Sequence, residues 1–297
     1  MLKDQYICWP DKKGTFWFIY NILMKKIYRI RVENLSIDEQ KSLFWTDNKL
    51  EKFNKKNKQI IEVLEKENFL KGNNDEYTEF NIPEINNDRK NLNVEKLNII
   101  VDDGINFKKL SKKTELLKDY LPAEKVILEK KSNHSYSSQN NVTFFILSSF
   151  NPEKINHEIS NYNNIVPVII SESDLVIGPK LHKEKCPCVD CLHIRLGSSS
   201  IDTIAFERQI DVARTEELFL YNKFINNNTS NIMDLICTLI LKYVKEVLTG
   251  NKENQFIRYD LSGEKCYTKA FLTPPHINII NRKKLHSSNY LKVRNYI

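Results

Sequence analysis

The sequence predicts an α/β protein made of a small N-terminal module of three strands plus helices and a larger α/β domain. Three observations predict it. Residues 6–32 hold three runs rich in aromatic and β-branched side chains, residues 73–93 are rich in Asn, Asp and Glu, and from residue 94 apolar runs alternate with helical patterns. We therefore divide the 297 residues into a module over 1–72, a linker over 73–93 and an α/β domain over 94–297.

The module begins with three predicted strands. They cover residues 6–9, 15–20 and 26–32, and the turn residues Pro10 to Gly14 separate the first two. In the third strand the side chains alternate between faces, so that two sets of three residues form: Ile27, Arg29 and Arg31 on one face, and Tyr28, Ile30 and Val32 on the other.

Two helices are predicted to complete the module. Ser36 followed by Glu39 has the spacing of a capping box, which predicts a helix start. Apolar residues at helical spacing around Leu64 predict a second helix over 57–68.

The domain that follows alternates strands and helices, which predicts an open α/β sheet. Strands are predicted over 97–101, 125–128 and 142–147, a hairpin over 166–170 and 175–177, a last strand over 255–261, and helices over 108–120, 152–162, 201–224 and 230–248.

The glycine content excludes the common nucleotide-binding loops. The chain has only 7 glycines, and no two of them lie within ten residues of each other. A dinucleotide fingerprint or a Walker A loop needs clustered glycines, because the backbone must approach phosphate closely. We therefore expect this chain to bind neither ATP nor NAD.

The charge pattern argues against nucleic acid as a partner. The net charge is +7, but lysines are scattered among Glu, Asp and Asn, as on a solvated face. No window reaches the ~18 apolar residues of a membrane span, and no signal peptide is evident. We expect a cytoplasmic protein without a membrane contact.

Three of the 6 cysteines lie close together at Cys186, Cys188 and Cys191. The Cys188-x-x-Cys191 spacing suits two thiolates on one zinc ion, with Cys186 and His276 as weaker candidate ligands. Three interpretations stay open: a structural zinc, cysteines left from a lost zinc site, and a redox pair. The redox interpretation is weakened because this motif follows a hairpin late in the chain rather than a first strand. At the end of the strand over 97–101, the pair Asp102-Asp103 is a candidate metal or base site, or a turn.

The α/β domain resembles a known family. A strand pair ends at Gly178-Pro179 and is followed, ten residues after Gly178, by Cys188-x-x-Cys191-Leu192 and Arg195. This order resembles the E1-like (ThiF-like) proteins of thiazole/oxazole peptide biosynthesis, whose Rossmann-type domain would be degenerate here. The helix that ends in Leu248-Thr249-Gly250 is also similar. The N-terminal module resembles the winged-helix-like recognition element that binds leader peptides of ribosomally synthesised, post-translationally modified peptides.

The sequence departs from that family at two places. The family's Gly-rich ATP loop corresponds here to Val101-Asp102-Asp103-Gly104, which has one glycine. The family's second C-x-x-C would fall at residues 273–278, which hold His276 and no cysteine.

The resemblance implies a leader-binding scaffold subunit that presents a precursor peptide to a separate YcaO-type, ATP-dependent cyclodehydratase. A flavin-dependent dehydrogenase is a further implied partner, and a homodimer is expected. The leader would add as a strand to the edge of strand 26–32. The candidate peptide-binding residues are Ile27, Tyr28, Arg29, Ile30, Arg31, Ile60, Val63 and Leu64.

Alternatives remain for these residues and for the chain. The apolar candidates have a competing interpretation as the module's own core. The chain itself has two competing interpretations, as an active E1-like adenylating enzyme and as a winged-helix regulator.

Overall fold

The computed structural model describes the parts of the chain that carry both sheets and their helices. They are residues 6–44, 55–70, 83, 96–102, 105–118, 126–130, 141–162, 165–171, 174–182, 186–200, 202–214, 229–248, 250, 252, 254–262 and 265–271. Across them the protein is a mixed α/β structure with one three-stranded and one seven-stranded sheet, which confirms the predicted class. The predicted linker lies almost wholly outside the described residues.

The smaller sheet is an antiparallel meander in which β2 is central. Its strands are β1 (Tyr6–Pro10), β2 (Phe16–Asn21) and β3 (Lys26–Arg31). The Asn21 side chain accepts hydrogen bonds from the backbone N–H groups of Leu23 and Met24, at 3.0 and 2.9 Å, and so fixes the turn into β3.

Two helices pack on one face of this sheet. They are α1 (Ile37–Phe44) and α2 (Lys55–Lys66). The predicted capping box is present: the Ser36 N–H donates to Glu39 at 2.8 Å, and the Glu39 N–H donates to Ser36 Oγ at 3.3 Å. The buried Gln40 accepts a hydrogen bond from Trp17 Nε1 at 2.8 Å, which ties α1 to β2.

The larger sheet has the order β10-β9-β8-β7-β6-β4-β5. Strands β4 to β7 are parallel to one another, and β8 to β10 are antiparallel. The strands are β4 (Lys96–Val101), β5 (Val126–Lys130), β6 (Asn141–Leu147), β7 (Ile165–Ser171), β8 (Asp174–Ile177), β9 (Gln255–Asp260) and β10 (Lys265–Ala270).

Helices cover both faces of the larger sheet. One buried cluster joins alternate residues of β4 and β6 to α3 and α8, and a second joins the intervening residues to α5, α6 and α7. The helices are α3 (Phe107–Lys113), α4 (Glu115–Lys118), α5 (Pro152–Asn161), α6 (Val189–Ser199), α7 (Thr203–Arg214) and α8 (Thr229–Tyr243), the last continuing as a π-helical turn over Val244–Leu248. In the described part of the chain, no helix is both long and apolar enough to cross a membrane.

Two elements were not predicted from the sequence. Helix α6 begins directly after Cys188, and its weak helix signal follows from Gly197 and the serines beside it. Strand β10 was missed because most of its side chains are exposed, so that it lacks apolar alternation.

The two sheets share a core through α7. Ala205 and Val212 belong to the buried cluster that contains the three-stranded sheet, whereas Phe206 and Ile210 belong to the second cluster, on the face of the larger sheet covered by α5 and α6. Arg208 Nε donates to the Pro10 carbonyl at 2.9 Å. The module is therefore packed against the α/β domain.

Candidate functional site

The outer edge of β3 is the first candidate site. Among the described strands, β3 pairs only with β2. The Val32 N–H donates to the Thr15 carbonyl at 2.8 Å, which continues the register of this pair. Residues bonded to the partner strand alternate with residues whose backbone groups point away. The backbone N–H and C=O groups of Ile27, Arg29 and Arg31 therefore face outward.

The side chains of β3 divide as the sequence predicted. Tyr28 contacts the Phe69 ring edge-on at 4.8 Å, on the face covered by the helices. Arg29 lies on the opposite face, with its guanidinium 5.4 Å from the centre of the Phe18 ring. Ile27, Tyr28 and Ile30 are half-buried against the core, which leaves part of each apolar side chain exposed.

The two arginines of β3 already have carboxylate partners. Arg29 forms an ion pair with Asp202 at 2.7 Å, and Arg31 forms one with Glu33 at 2.8 Å. Arg29 therefore links β3 to the start of α7. No local sequence pattern indicates this pair, because its members lie 173 residues apart.

The three candidates on α2 have different environments. Leu64 is fully buried and belongs to the core, Ile60 is half-buried, and the side chain of Val63 is 49% exposed. Of the three, Val63 offers the most apolar surface to a ligand.

The second candidate site is the cysteine turn, defined as Cys186, Cys188 and Cys191. Cys188 is the N-cap of α6, and Cys191 lies in the first turn of that helix. The Sγ atom of Cys191 is 2.9 Å from that of Cys186 and 3.0 Å from that of Cys188. Hydrogen bonding with Cys188, burial, and hydrogen bonding with Cys186 together raise the pKa of the Cys191 thiol above its usual range.

The donor set of the cysteine turn suits a soft divalent cation. All three Sγ atoms lie within 4.8 Å of one another. In tetrahedral zinc coordination, Zn–S bonds of ~2.3 Å place sulfurs ~3.8 Å apart, so the thiolates need to separate by less than about 1 Å. Within the described residues no fourth ligand joins them. His276, the weaker candidate, lies outside the described residues.

The carboxyl ends of β4 and β6 form a third region, which holds an ion pair. Lys154 Nζ lies 2.8 Å from Asp102 Oδ1, and both side chains are largely buried. A pocket of about 290 Å³ opens here, between these strand ends and α5. Asp102 therefore has a cationic partner in place, while Asp103 lies outside the described residues.

Two cysteines outside the cysteine turn, Cys8 and Cys237, are buried. Burial raises the pKa of the Cys237 thiol to about 12, which disfavours a thiolate there.

Several solved structures resemble this chain, all at low sequence identity and low TM-score. A heterocyclase in complex with substrate and cofactor has 13% identity and a TM-score of 0.41, covering 92% of this chain. The E. coli microcin synthetase McbBCD complex has 10% identity and a TM-score of 0.44, with 91% of this chain and 98% of that chain covered. E. coli MccB has 12% identity and a TM-score of 0.33, with 97% and 98% covered.

The chain spans only 38% of the length of that heterocyclase. No protein-family model matches the sequence, and no curated protein matches it either.

Proposed function

We propose that this chain is a peptide-binding scaffold that captures an extended leader segment of a precursor peptide on the outer edge of β3. It then presents the remainder of the peptide to a separate YcaO-type, ATP-dependent cyclodehydratase for azoline formation. A flavin-dependent dehydrogenase and a second copy of this chain complete the proposed assembly. The observation that carries the proposal is the outer edge of β3.

The β3 edge supports the proposal through its backbone. Three outward-facing residues, Ile27, Arg29 and Arg31, offer alternate N–H and C=O groups to an added strand. An unpaired edge invites strand addition, and β3 lacks the Pro or bulge that would block it. Main-chain pairing gives affinity for an extended peptide, whatever its side chains.

Selectivity would come from apolar side chains beside that edge. Tyr28 and Ile30 are half-buried on the helix-covered face, and α2 packs on the same face with Ile60 half-buried and Val63 exposed. An apolar leader residue would bury surface against these side chains at ~25 cal/mol per Å². Leu64 contributes by holding α2 in place rather than by contact.

Tethering gives such a scaffold a role without chemistry of its own. Binding the leader raises the effective concentration of the rest of the peptide at a partner's active site. The Lys154–Asp102 ion pair and the scarcity of glycine support the assignment of ATP use to the partner in this proposal. The module would be a winged-helix-like recognition element and the α/β domain a degenerate Rossmann-type scaffold.

The cysteine turn is proposed as a structural zinc site. Cys186, Cys188 and Cys191 would supply three thiolates, and the fourth ligand would come from outside the described residues. Zinc would cross-link the start of α6 to the segment before it. No catalytic role follows from it.

The test uses a substitution that removes a backbone N–H group on the outer edge of β3. Arg31→Pro removes an N–H that faces the proposed peptide and leaves the bonds between β3 and β2 intact. The matched control Arg31→Ala removes the same side chain and keeps the N–H. The probe is the fluorescein-labelled leader of a precursor peptide encoded beside the gene, followed by fluorescence polarisation.

We expect Arg31→Pro to weaken leader binding by about tenfold, the upper end for one lost hydrogen bond. Arg31→Ala should bind like the parent chain, and ATP should not be consumed by the chain alone. Equal binding by both variants, or ATP turnover without a partner, would contradict the proposal. Circular dichroism checks that both variants stay folded.

A further inference from the structure

A pocket beside α6 has the composition of a site for an apolar group that carries a negative charge. Its volume is about 180 Å³, and it lies between α6 and the strands β8, β9 and β10. Its apolar wall includes Leu192, Leu196, Phe256 and Phe271. Three cations and one carboxylate also line it: Arg195, Arg258, Lys269 and Asp174.

The charges of this pocket do not balance. Arg258 pairs with the buried Asp174. Arg195 and Lys269 are exposed, and neither has a carboxylate partner within the described part of the chain. Lys269 instead lies with its ammonium 5.0 Å from the centre of the Tyr267 ring. Two positive charges therefore remain over an apolar wall, which complements an anion attached to an apolar body.

The pocket lies next to the elements that hold β3. Asp202, which pairs with Arg29, follows the pocket residue Ser199 by three positions. Asp260, which pairs with Lys25 at 2.7 Å, lies directly opposite the pocket residue Asp174. Arg258 shares a sheet face with Asp260 at a spacing of ~7 Å along the strand.

We propose that this pocket receives an acidic side chain, together with a neighbouring apolar side chain, from the peptide that pairs with β3. The inference rests on the proposed function, because the same peptide would occupy both sites. Arg29 and Arg31 do not serve this role, since they are engaged with Asp202 and Glu33. Arg195 and Lys269 donate to the acidic side chain in this proposal, with Arg258 behind them.

The first experiment tests the pocket without the leader. The probe is N-acetyl-leucyl-aspartate amide, and its matched control is N-acetyl-leucyl-asparagine amide. Binding to the full chain is followed by NMR of ¹³C-labelled leucine methyl groups, with Leu192 and Leu196 as reporters. We expect the acidic probe to shift these two residues and the neutral probe to bind about tenfold more weakly.

Variants of the chain then test which side chains bind the carboxylate of the probe. The double variant Arg195→Ala with Lys269→Ala should lose the preference for the acidic probe. The control Lys265→Ala changes an exposed lysine on the same strand that does not line the pocket, and it should bind like the parent chain. Equal binding of the two probes, or an unchanged preference in the double variant, would overturn the inference.

The second experiment separates this inference from the proposed function. The double variant should weaken binding of the labelled leader, and Arg31→Pro should weaken the leader but not the dipeptide probe. If the double variant leaves leader affinity unchanged, the pocket does not serve the leader, while capture at β3 stands. If the dipeptide binds and no leader does, the proposed function fails and the pocket remains an anion site.

Discussion

At the scale of single residues, adjacent positions on α2 have opposite roles. Leu64 has no exposed side-chain surface, whereas Val63 is 49% exposed. Both were candidate peptide-binding residues, and hydropathy alone does not distinguish a core leucine from a surface valine. Only the position of α2 on the sheet distinguishes the buried residue from the exposed one.

We predict that Leu64→Ala lowers the free energy of unfolding by about 2–5 kcal/mol, because it leaves a cavity in the module core. Val63→Ala should change it by less than about 0.5 kcal/mol. Urea denaturation followed by tryptophan fluorescence measures both. A large loss in the Val63 variant would show that α2 is packed differently from the structure described above.

Asp202 is a second residue with a distinct energetic role. Burial acts to raise its pKa, but hydrogen bonding from the Ala205 N–H and the ion pair with Arg29 outweigh it, so the pKa lies below 3.8. A carboxylate whose pKa is depressed on folding stabilises the folded state above its unfolded-state pKa. That stabilisation is lost as the pH falls through the lower folded value.

We therefore expect Asp202→Asn to lower the melting temperature at about pH 7. The difference in melting temperature between parent chain and variant should shrink as the pH drops below ~3.8. Thermal melts of the parent chain and the variant across this range test it. The same difference should shrink in an Arg29→Ala background, since part of the shift comes from Arg29. A loss of melting temperature that does not change with pH would contradict the stabilising role of the Asp202 carboxylate.

At the scale of elements, local sequence patterns were enough to predict features that depend on contacts between residues close in sequence. The capping box of Ser36 and Glu39 and the alternation of β3 both rest on residues a few positions apart, and both were predicted. Helix α6 and strand β10 were not, because their signals are tertiary: α6 is fixed by packing of Leu192 and Leu196, and β10 by pairing with β9. The pairing of Arg29 with Asp202 likewise has no local signature.

The cysteine turn gives a prediction at the same scale. We expect the purified chain to hold about one zinc ion, and Cys188→Ser to lose it, because three thiolates from one turn supply most of the ligands. The control Cys237→Ser removes a buried thiol far from the turn in sequence and should retain the metal. Elemental analysis by mass spectrometry measures both. A metal-free parent chain would favour the interpretation that the site has been lost.

At the scale of the whole molecule, the module and the α/β domain are packed against each other. Polar contacts between the module and the domain include Arg29–Asp202, Lys25–Asp260, Lys12–Asp211 and Arg208 with the Pro10 carbonyl. Surface ion pairs contribute little each, at ~0–1 kcal/mol. The apolar side chains shared through α7 therefore carry most of the connection.

This packing predicts that module and domain unfold together. All three tryptophans, Trp9, Trp17 and Trp45, lie in the module region, so tryptophan fluorescence reports on the module. Circular dichroism in the far ultraviolet reports on helices of the whole chain. We expect the two signals to give the same midpoint in urea, as for one cooperative transition. Two separate midpoints would show that the module is independent.

The face of β1 and β2 turned away from α1 and α2 has a consequence for protein engineering. Trp9 and Phe18 stack on each other at 5.9 Å on that face, and both are buried. A chimera that replaces residues 1–72 with another module would keep an α7 whose Ala205 and Val212 share a buried cluster with these two rings. Grafting of a different module therefore has to carry α7 along with the graft, or to redesign Ala205 and Val212 to suit the new sheet.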